Sequence, residues 1–340
     1  MIRIQNIYYM LSYAYQVLRE NGYKEIAAEN FSNALDLLSE ILIKGLKSQI
    51  KMGLNREYIP INETTGVVKG KINIDETIKS NLLDKHKLNC SFDEFSLNTE
   101  FNRIIKTTLL YLLRSNIPLD KKKKIKLLIV YFGGVEYVDP HSINWDLKFN
   151  KTNQTYRMLL SICNLIMKGM LQTKSNGDYR LMDFIDEQRM SRLYEKFILE
   201  YYRKEYPSLN ANPSLVSWAL DDQNNYMLPE MKTDITLEKN GSVLIIDAKY
   251  YSHSLQTNFD KKTIISANIY QIFTYVKNKA SKGKNVSGML LYAKTDEQIV
   301  PDSVYSMSGN KISVKTLDLS SDFKSISKQL NIIANQFIRQ

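Results

Sequence analysis

The sequence predicts two domains: an α+β N-terminal half, with helices around a small β-rich unit, and an α/β half built on a mixed central sheet. Three observations predict it. The chain has 340 residues and 44% apolar content, enough for two cores of ordinary size. In the first half, helical spacing of apolar residues is interrupted by short runs rich in β-branched residues. In the second half the order is helix, three strands, helix, strand, which is that of an α/β unit. The polar stretch from Asp139 to Lys151 supplies the boundary, giving domains 1–150 and 151–340.

Asn6 is placed to cap a first helix carrying Ile7, Met10, Leu11 and Ala14, and a second amphipathic helix follows from about Phe31 to Gly53. From Arg56 to Ile74, Tyr58, Ile59 and Ile61 on one side and Val67, Val68, Ile72 and Ile74 on the other flank a turn-like Asn62–Gly66. This segment reads as strands joined by a hairpin. A short strand is expected over Leu88–Phe95 and a helix over Leu97–Ser115. Lys121–Lys124 form either a phosphate-facing patch or the solvated start of a further helix, the plainer of the two readings. Gly133 and Gly134 mark a break, and a helix over Gln154–Leu171 bridges the halves. The second half then reads as a helix (Met190–Tyr206), strands at Ser214–Leu220, Lys232–Leu237 and Val243–Ala248, a helix (Lys262–Lys279) and a strand (Gly288–Tyr292).

The formal net charge of +10, from 46 Lys and Arg against 36 Asp and Glu, favours an anionic partner such as nucleic acid without requiring one. Cys90 and Cys163 are far apart and outside any C-x-x-C spacing, so buried thiols are expected rather than a disulfide framework or a zinc site. No signal-peptide pattern opens the sequence, and no apolar run approaches the roughly 20 residues of a membrane span. A cytoplasmic protein with no membrane partner is the expectation.

The chemistry concentrates in two neighbouring strands. Asp234 lies within the strand from Lys232, and Asp247 and Lys249 close the strand that begins at Val243. Side chains alternate along a strand, so Asp247 and Lys249 share one face. If residues 238–242 form a hairpin, Asp234 comes alongside and two carboxylates can share a hard divalent cation. Phosphodiester hydrolysis needs this set: a metal to neutralise the phosphate and activate water, and a nearby ammonium to stabilise developing charge. The doublet alone is weak, because an acidic residue two before a lysine occurs six times, at Asp120, Asp146, Glu230, Asp247, Asp260 and Asp322. Only Asp247 sits at the end of an apolar strand, where charge is costly unless paired or metal-bound. The plain alternative is a strand end meeting water.

Gln271 and Tyr275 lie four apart on one helical face, where the amide could hold a ligand and the phenol brace it, although Gln5 and Tyr9 share that spacing. Glu195 or Glu200, on the helix before the sheet, is a further metal-shell candidate, with a solvated helix face as the plainer reading of each. Asp221, Asp222, His253, His86 and His141 have no neighbouring ligand pattern and receive no role.

Asp234, Asp247, Lys249, Gln271 and Tyr275, in this order of elements, resemble the PD-(D/E)XK nucleases that carry a trailing Q-x-x-x-Y motif. More narrowly the chain is similar to the McrC family, nuclease subunits of McrBC modification-dependent (5-methylcytosine) restriction systems. The likeness reaches Arg3–Leu11, Gly66–Ile74 with Lys69, Gly70 and Lys71, Phe92–Phe95, Asn102–Lys106 and Asp247–Tyr251, and so covers most of the chain. It implies a restriction-endonuclease-like second domain, with Mg²⁺ held by Asp234 and Asp247. It also implies that residues 1–150 dock onto, and stimulate, a McrB-like AAA+ GTPase hexamer, which binds the GTP and reads modified cytosine in double-stranded DNA. GTP-driven translocation in such systems brings assemblies together before cleavage. The chain has no G-x-x-x-x-G-K-[ST] loop, as expected if the motor is a partner. The family's Pro-Asp pair is not adjacent here, since Pro229 lies five residues before Asp234, and the match does not fix a glutamate on the leading helix.

Two other readings follow from the same residues. One is a catalytically silent regulatory subunit of the complex, which a Mg²⁺ titration of cleavage would separate. The other is a stand-alone nuclease resembling the RecB type, which would digest DNA from its ends without a partner. The hairpin around Asn62–Lys71 is the expected GTPase contact, from its exposed turn and the family's habit.

Overall fold

The computed structural model describes residues 2–15, 18, 26, 29–150, 153–176, 187–222, 224–251, 255–258, 261–280, 285–294 and 300–339. Its compact units are cut differently from the expected division at residue 150: Leu35–Gly177 forms one, and Met1–Ala34 joins Asp178–Gln340 in the other. The first helix, α1 (Ile4–Ala14), starts one turn before its expected cap, with Arg3 at the cap position making no side-chain bond. Asn6 is instead buried in the first turn, where its Nδ2 donates to the carbonyls of Leu319 (2.8 Å) and Ser321 (2.7 Å). A buried amide with two tertiary partners outweighs a local cap.

In the unit of residues 35–177, α2 (Ala34–Met52) buries Leu37, Leu38, Ile41, Leu42 and Leu46. It is followed by β1 (Glu57–Thr65), β2 (Lys71–Ile72), α3 (Ile74–Lys79), β3 (Leu88–Ser96), α4 (Glu100–Arg114), α5 (Leu119–Ile129) and α6 (Gln154–Asn176). The expected hairpin does not form. The order is β1-β3-β2, with β3 antiparallel to both: Glu57 faces Ser96, Thr65 faces Leu88, and Lys71 faces Ser91. The strand runs through the supposed turn as far as Thr65, and Ile74 opens α3 instead of ending a strand. The lysine run behaves as neither patch nor solvated start at its first member. Lys121 is buried against Asp36 of α2, with Glu40 at 3.9 Å, and Lys124 lies 3.5 Å from Glu40. The polar segment expected to be a linker is irregular backbone inside this unit, with Phe149 against Phe101 at 5.4 Å, and α6 packs on α4 instead of bridging domains. Cys90 and Cys163 are both buried.

The other unit continues from α1 with α7 (Glu187–Glu205), β4 (Leu215–Val216), β5 (Met231–Lys232), β6 (Ile235–Lys239), β7 (Ser242–Lys249), β8 (Leu255–Asn258), β9 (Lys261–Ile264), α8 (Ser266–Ala280), β10 (Asn285–Ala293), β11 (Ser303–Met307), β12 (Asn310–Leu317) and α9 (Phe323–Ile338). The central sheet, β11-β12-β10-β7-β6, is mixed as expected: β7, β10 and β12 are parallel, and β6 and β11 run antiparallel at the edges. The β6–β7 hairpin turns through Asn240 (φ 51) and Gly241 (φ 79), the primed geometry that matches strand twist. The run Val243–Ile246 is apolar on both sides because β7 is covered on both faces. Val243 and Ile245 share a core with Ile272, Tyr275 and Val276 of α8 and Val286 and Leu290 of β10. The alternating residues Leu244 and Ile246 are buried on the other face. Tyr201 and Tyr202 of α7 reach α9 through Asn331 Oδ1 (2.7 Å) and the Leu330 carbonyl (3.2 Å). Tyr9 of α1 stacks on Phe323 at 4.2 Å, which ties the first helix to this unit.

The helix α8 begins later than expected, because Lys261–Ile264 pair with β8 as a strand. It also lies close on β10: a Cβ at Gly288 would stand 2.7 Å from Val276 Cγ2 and 2.9 Å from Ile272 Cγ1. Gly288→Ala should therefore cost about 1–3 kcal/mol, the usual range for overpacking, read as a lower urea midpoint with an unchanged slope. An unaltered midpoint would mean that α8 can back away from the sheet. Among the described residues, no helix is long and apolar enough to cross a membrane.

Candidate active site

The antiparallel ladder of β6 and β7 ends at the pair Ile235–Ile246. Asp234 therefore stands one step beyond it, beside Asp247, on a bend between β5 and β6 and not within a strand as expected. Where the ladder stops, the next edge amide of β7 needs an acceptor. Asp234 supplies it: its Oδ2 accepts from the Ala248 N–H at 3.0 Å. The side chain thus takes the place of a strand carbonyl, which fixes its carboxylate against β7.

Asp247 is 1% exposed. Lys249 shares its face of β7, and Nζ lies 2.9 Å from Asp247 Oδ2. That contact is an ion pair outside hydrogen-bond geometry, and among the described residues neither oxygen of Asp247 has a hydrogen-bond partner. Lys249 Nζ donates to Gln271 Oε1 at 3.1 Å, and Gln271 Nε2 donates to the Tyr275 hydroxyl at 3.0 Å. The structure thus joins Asp234, Asp247, Lys249, Gln271 and Tyr275 into one site.

Glu195 of α7 approaches it as well. Its carboxylate accepts from Ser191 Oγ at 3.0 Å, and its charge is felt by Asp234. Glu200, the other candidate on α7, is engaged by Arg203 at 2.7 Å. Asp221, Asp222, His86 and His141 are exposed, and His253 lies outside the described residues.

The electrostatics are those of a site short of positive charge. Burial raises the Asp234 carboxyl from 3.8 to about 7, helped by the charges of Asp247 and Glu195 and opposed by Lys249 and the Ala248 N–H. Burial also raises Asp247, against the pull of Lys249, and it is the main cause of the rise at Glu195. At Lys249 burial alone would lower the pKa, but Asp247 and Asp234 outweigh it and the ammonium is held protonated. Desolvated carboxylates with free lone pairs are the donor set that a hard divalent cation satisfies. Among the described residues, no three His, Cys, Asp or Glu side chains converge on one point. The residues fit an ion such as Mg²⁺, which takes one or two carboxylates and completes its shell with water and substrate phosphate.

Sequence reasoning missed a neighbouring cluster. Asn268 Nδ2 donates to the Tyr292 hydroxyl at 2.9 Å, and the Tyr251 hydroxyl donates to Asn268 Oδ1 at 3.3 Å. Burial pushes the Tyr292 phenol up to about 12, so it stays protonated. The legible signal was Asn268 standing three before Gln271, on the same helical face.

The comparisons with known proteins agree with one another. The family model described as "McrBC 5-methylcytosine restriction system component" matches residues 4–293. Over 346 residues the chain is 31% identical to the "Type IV methyl-directed restriction enzyme EcoKMcrBC" of Escherichia coli (strain K12), covering 99% of each. Among solved structures it resembles a chain of the "half-complex from tetradecameric assembly of Thermococcus gammatolerans McrB AAA+ hexamers with bound McrC", with a TM-score of 0.52 and 18% identity. That match covers 97% of this chain and 76% of the other, and is a likeness of fold.

Proposed function

The chain belongs to the family of McrBC 5-methylcytosine restriction system components, and from that premise we propose that it is the Mg²⁺-dependent endonuclease subunit of a GTP-powered restriction complex. The observation that carries the reading is Asp247: a buried carboxylate with neither oxygen hydrogen-bonded, flanked by a second carboxylate and an ammonium. In this reading the unit has the PD-(D/E)XK arrangement.

Asp234 and Asp247 would hold the magnesium. When bound, the ion supplies positive charge to the scissile phosphate and lowers the pKa of a coordinated water. The protein's own residues do the rest. Lys249, anchored by Gln271, presents a fixed ammonium to the charge that develops on the phosphate as a water attacks it. Tyr275 holds the far end of the Gln271 amide, which keeps its oxygen, not its nitrogen, toward the lysine. Glu195 adds negative charge beside the two ligands and so favours a cation there.

The motor is a separate chain in this reading. A McrB-like AAA+ GTPase hexamer binds the GTP and selects double-stranded DNA carrying modified cytosine. The unit of residues 35–177 docks onto it, with the segment Asn62–Lys71 as one contact. The decisive experiment mixes the purified chain with the GTPase, GTP, Mg²⁺ and methylated or unmethylated DNA, both linear and closed circular. Cleavage of methylated circles that needs every component is the expected result. Digestion from DNA ends by the chain alone would sink the restriction-subunit reading, and cleavage indifferent to chelation would sink the metal.

A further inference from the structure

The cluster around Asn268 has no part in the chemistry just described, yet it is built more tightly than packing requires. Asn268 stands in the first turn of α8 and is 4% exposed. Its donor goes to the hydroxyl of Tyr292, which is fully buried on β10 and sits opposite Lys249 in the parallel ladder. Its acceptor goes to the hydroxyl of Tyr251, two residues beyond Lys249 and just past the end of β7. One amide therefore ties the start of α8 to the ends of two strands.

A buried amide is unfavourable unless both its halves are satisfied, and a leucine would fill the space without that demand. What the amide adds is direction, because hydrogen bonds to two partners fix both the angle and the height of the helix start. Three residues further along the same face stands Gln271, which accepts from Lys249 Nζ at 3.1 Å. Where the helix starts thus determines where the Gln271 carbonyl meets the lysine.

We propose that Asn268 is a positioning residue for DNA cleavage: through Tyr251 and Tyr292 it sets where α8 carries Gln271, and so where Lys249 Nζ stands at the scissile phosphate. Asn268 itself does not touch DNA. The proposal rests on the nuclease reading above and adds to it the part that orients the ammonium.

The test compares the wild-type complex with Asn268→Ala, Asn268→Asp, Tyr292→Phe and the Asn268→Ala/Tyr292→Phe pair. Single-turnover cleavage should fall by roughly 10- to 100-fold in Asn268→Ala, the range for residues that orient active groups from behind, with DNA affinity and partner GTP hydrolysis unchanged. Asn268→Asp should recover most of the rate, since its second oxygen can accept from a Tyr292 hydroxyl turned donor. The double variant should be no slower than Asn268→Ala alone. A role in stability only would lower the melting temperature and leave the rate of the folded complex intact, and that result overturns the proposal. If Asn268→Ala does not fold, Tyr292→Phe, which removes one of the two Asn268 bonds, carries the comparison: a fall in the cleavage rate is expected, and an unchanged rate overturns the proposal. A crystal structure of a folded variant gives the independent arm. If Lys249 and Gln271 remain in contact without the Asn268 bonds, positioning is refuted whatever the cleavage rate. If the contact is lost in the variant while even the wild-type complex fails to cut DNA, the nuclease reading falls and the positioning geometry stands.

Discussion

Asp247→Asn should abolish DNA cleavage by the reconstituted complex, by roughly 10³-fold or more, while partner GTP hydrolysis is stimulated as before. The substitution keeps shape and burial and removes one charge. That charge is the less replaceable of the two carboxylates. Asp234 spends an oxygen on the Ala248 N–H, whereas neither oxygen of Asp247 has a hydrogen-bond partner among the described residues. Losing it removes a metal ligand and leaves the Lys249 ammonium, 2.9 Å away, without its nearest counter-charge. Such a loss corresponds to ~4 kcal/mol of transition-state stabilisation. The stimulated GTPase is the control that separates a dead blade from a broken assembly. If the Asn variant cut DNA within about tenfold of wild type, a difference of only ~1.4 kcal/mol, the site would be misassigned. If it also failed to stimulate the GTPase, the two functions would share residues that the proposed docking segment does not contain.

The parts of this site that could be read in the sequence are those fixed by local rules. Asn240 and Gly241 between two β runs specify a tight hairpin, and period-two alternation puts Asp247 and Lys249 on one face. Asp234 is legible as a carboxylate but its place just outside β6 is not, because the end of a ladder depends on pairing that no single strand encodes. The same limit hid the order β1-β3-β2, where the central strand arrives last in the chain, and the burial of Lys121, whose partners Asp36 and Glu40 lie on another helix. The boundary at 150 failed for a related reason. A polar segment reads as a linker, but Phe149 packs on Phe101, and α1 joins the later unit through Asn6 and Tyr9. Beyond Tyr292 no motif marks a site in the sequence, although β12 completes the parallel core of the sheet.

Asp234→Asn should make the metal-free chain more stable at pH 8 and, in the complex, unable to cut DNA. In the folded protein the Asp234 carboxyl is pushed up to about 7, against 3.8 for the free side chain. Between those values the folded state keeps a proton that the unfolded state has released, so stability falls as pH rises through the window and the deficit is complete above it. Taken whole, the shift corresponds to about 4 kcal/mol. Because Asp234 shares its environment with Asp247 and Glu195, about 2 kcal/mol is the expected gain for the Asn variant. Thermal melts of the purified chain in chelator should therefore show wild type losing stability from pH 5 to pH 8, with the Asn variant losing less. Mg²⁺ should reverse the difference at pH 8, because the ion supplies the charge that burial and Asp247 deny to Asp234, and its binding should release protons. A wild-type chain that grows more stable over that range, or an Asn variant less stable than wild type at pH 8, would mean that the carboxylate is satisfied without a cation. The buried pair would then be a strand-end brace, and the Asp247 oxygens, ion-paired with Lys249 but without a hydrogen bond, would lose their meaning as a metal site.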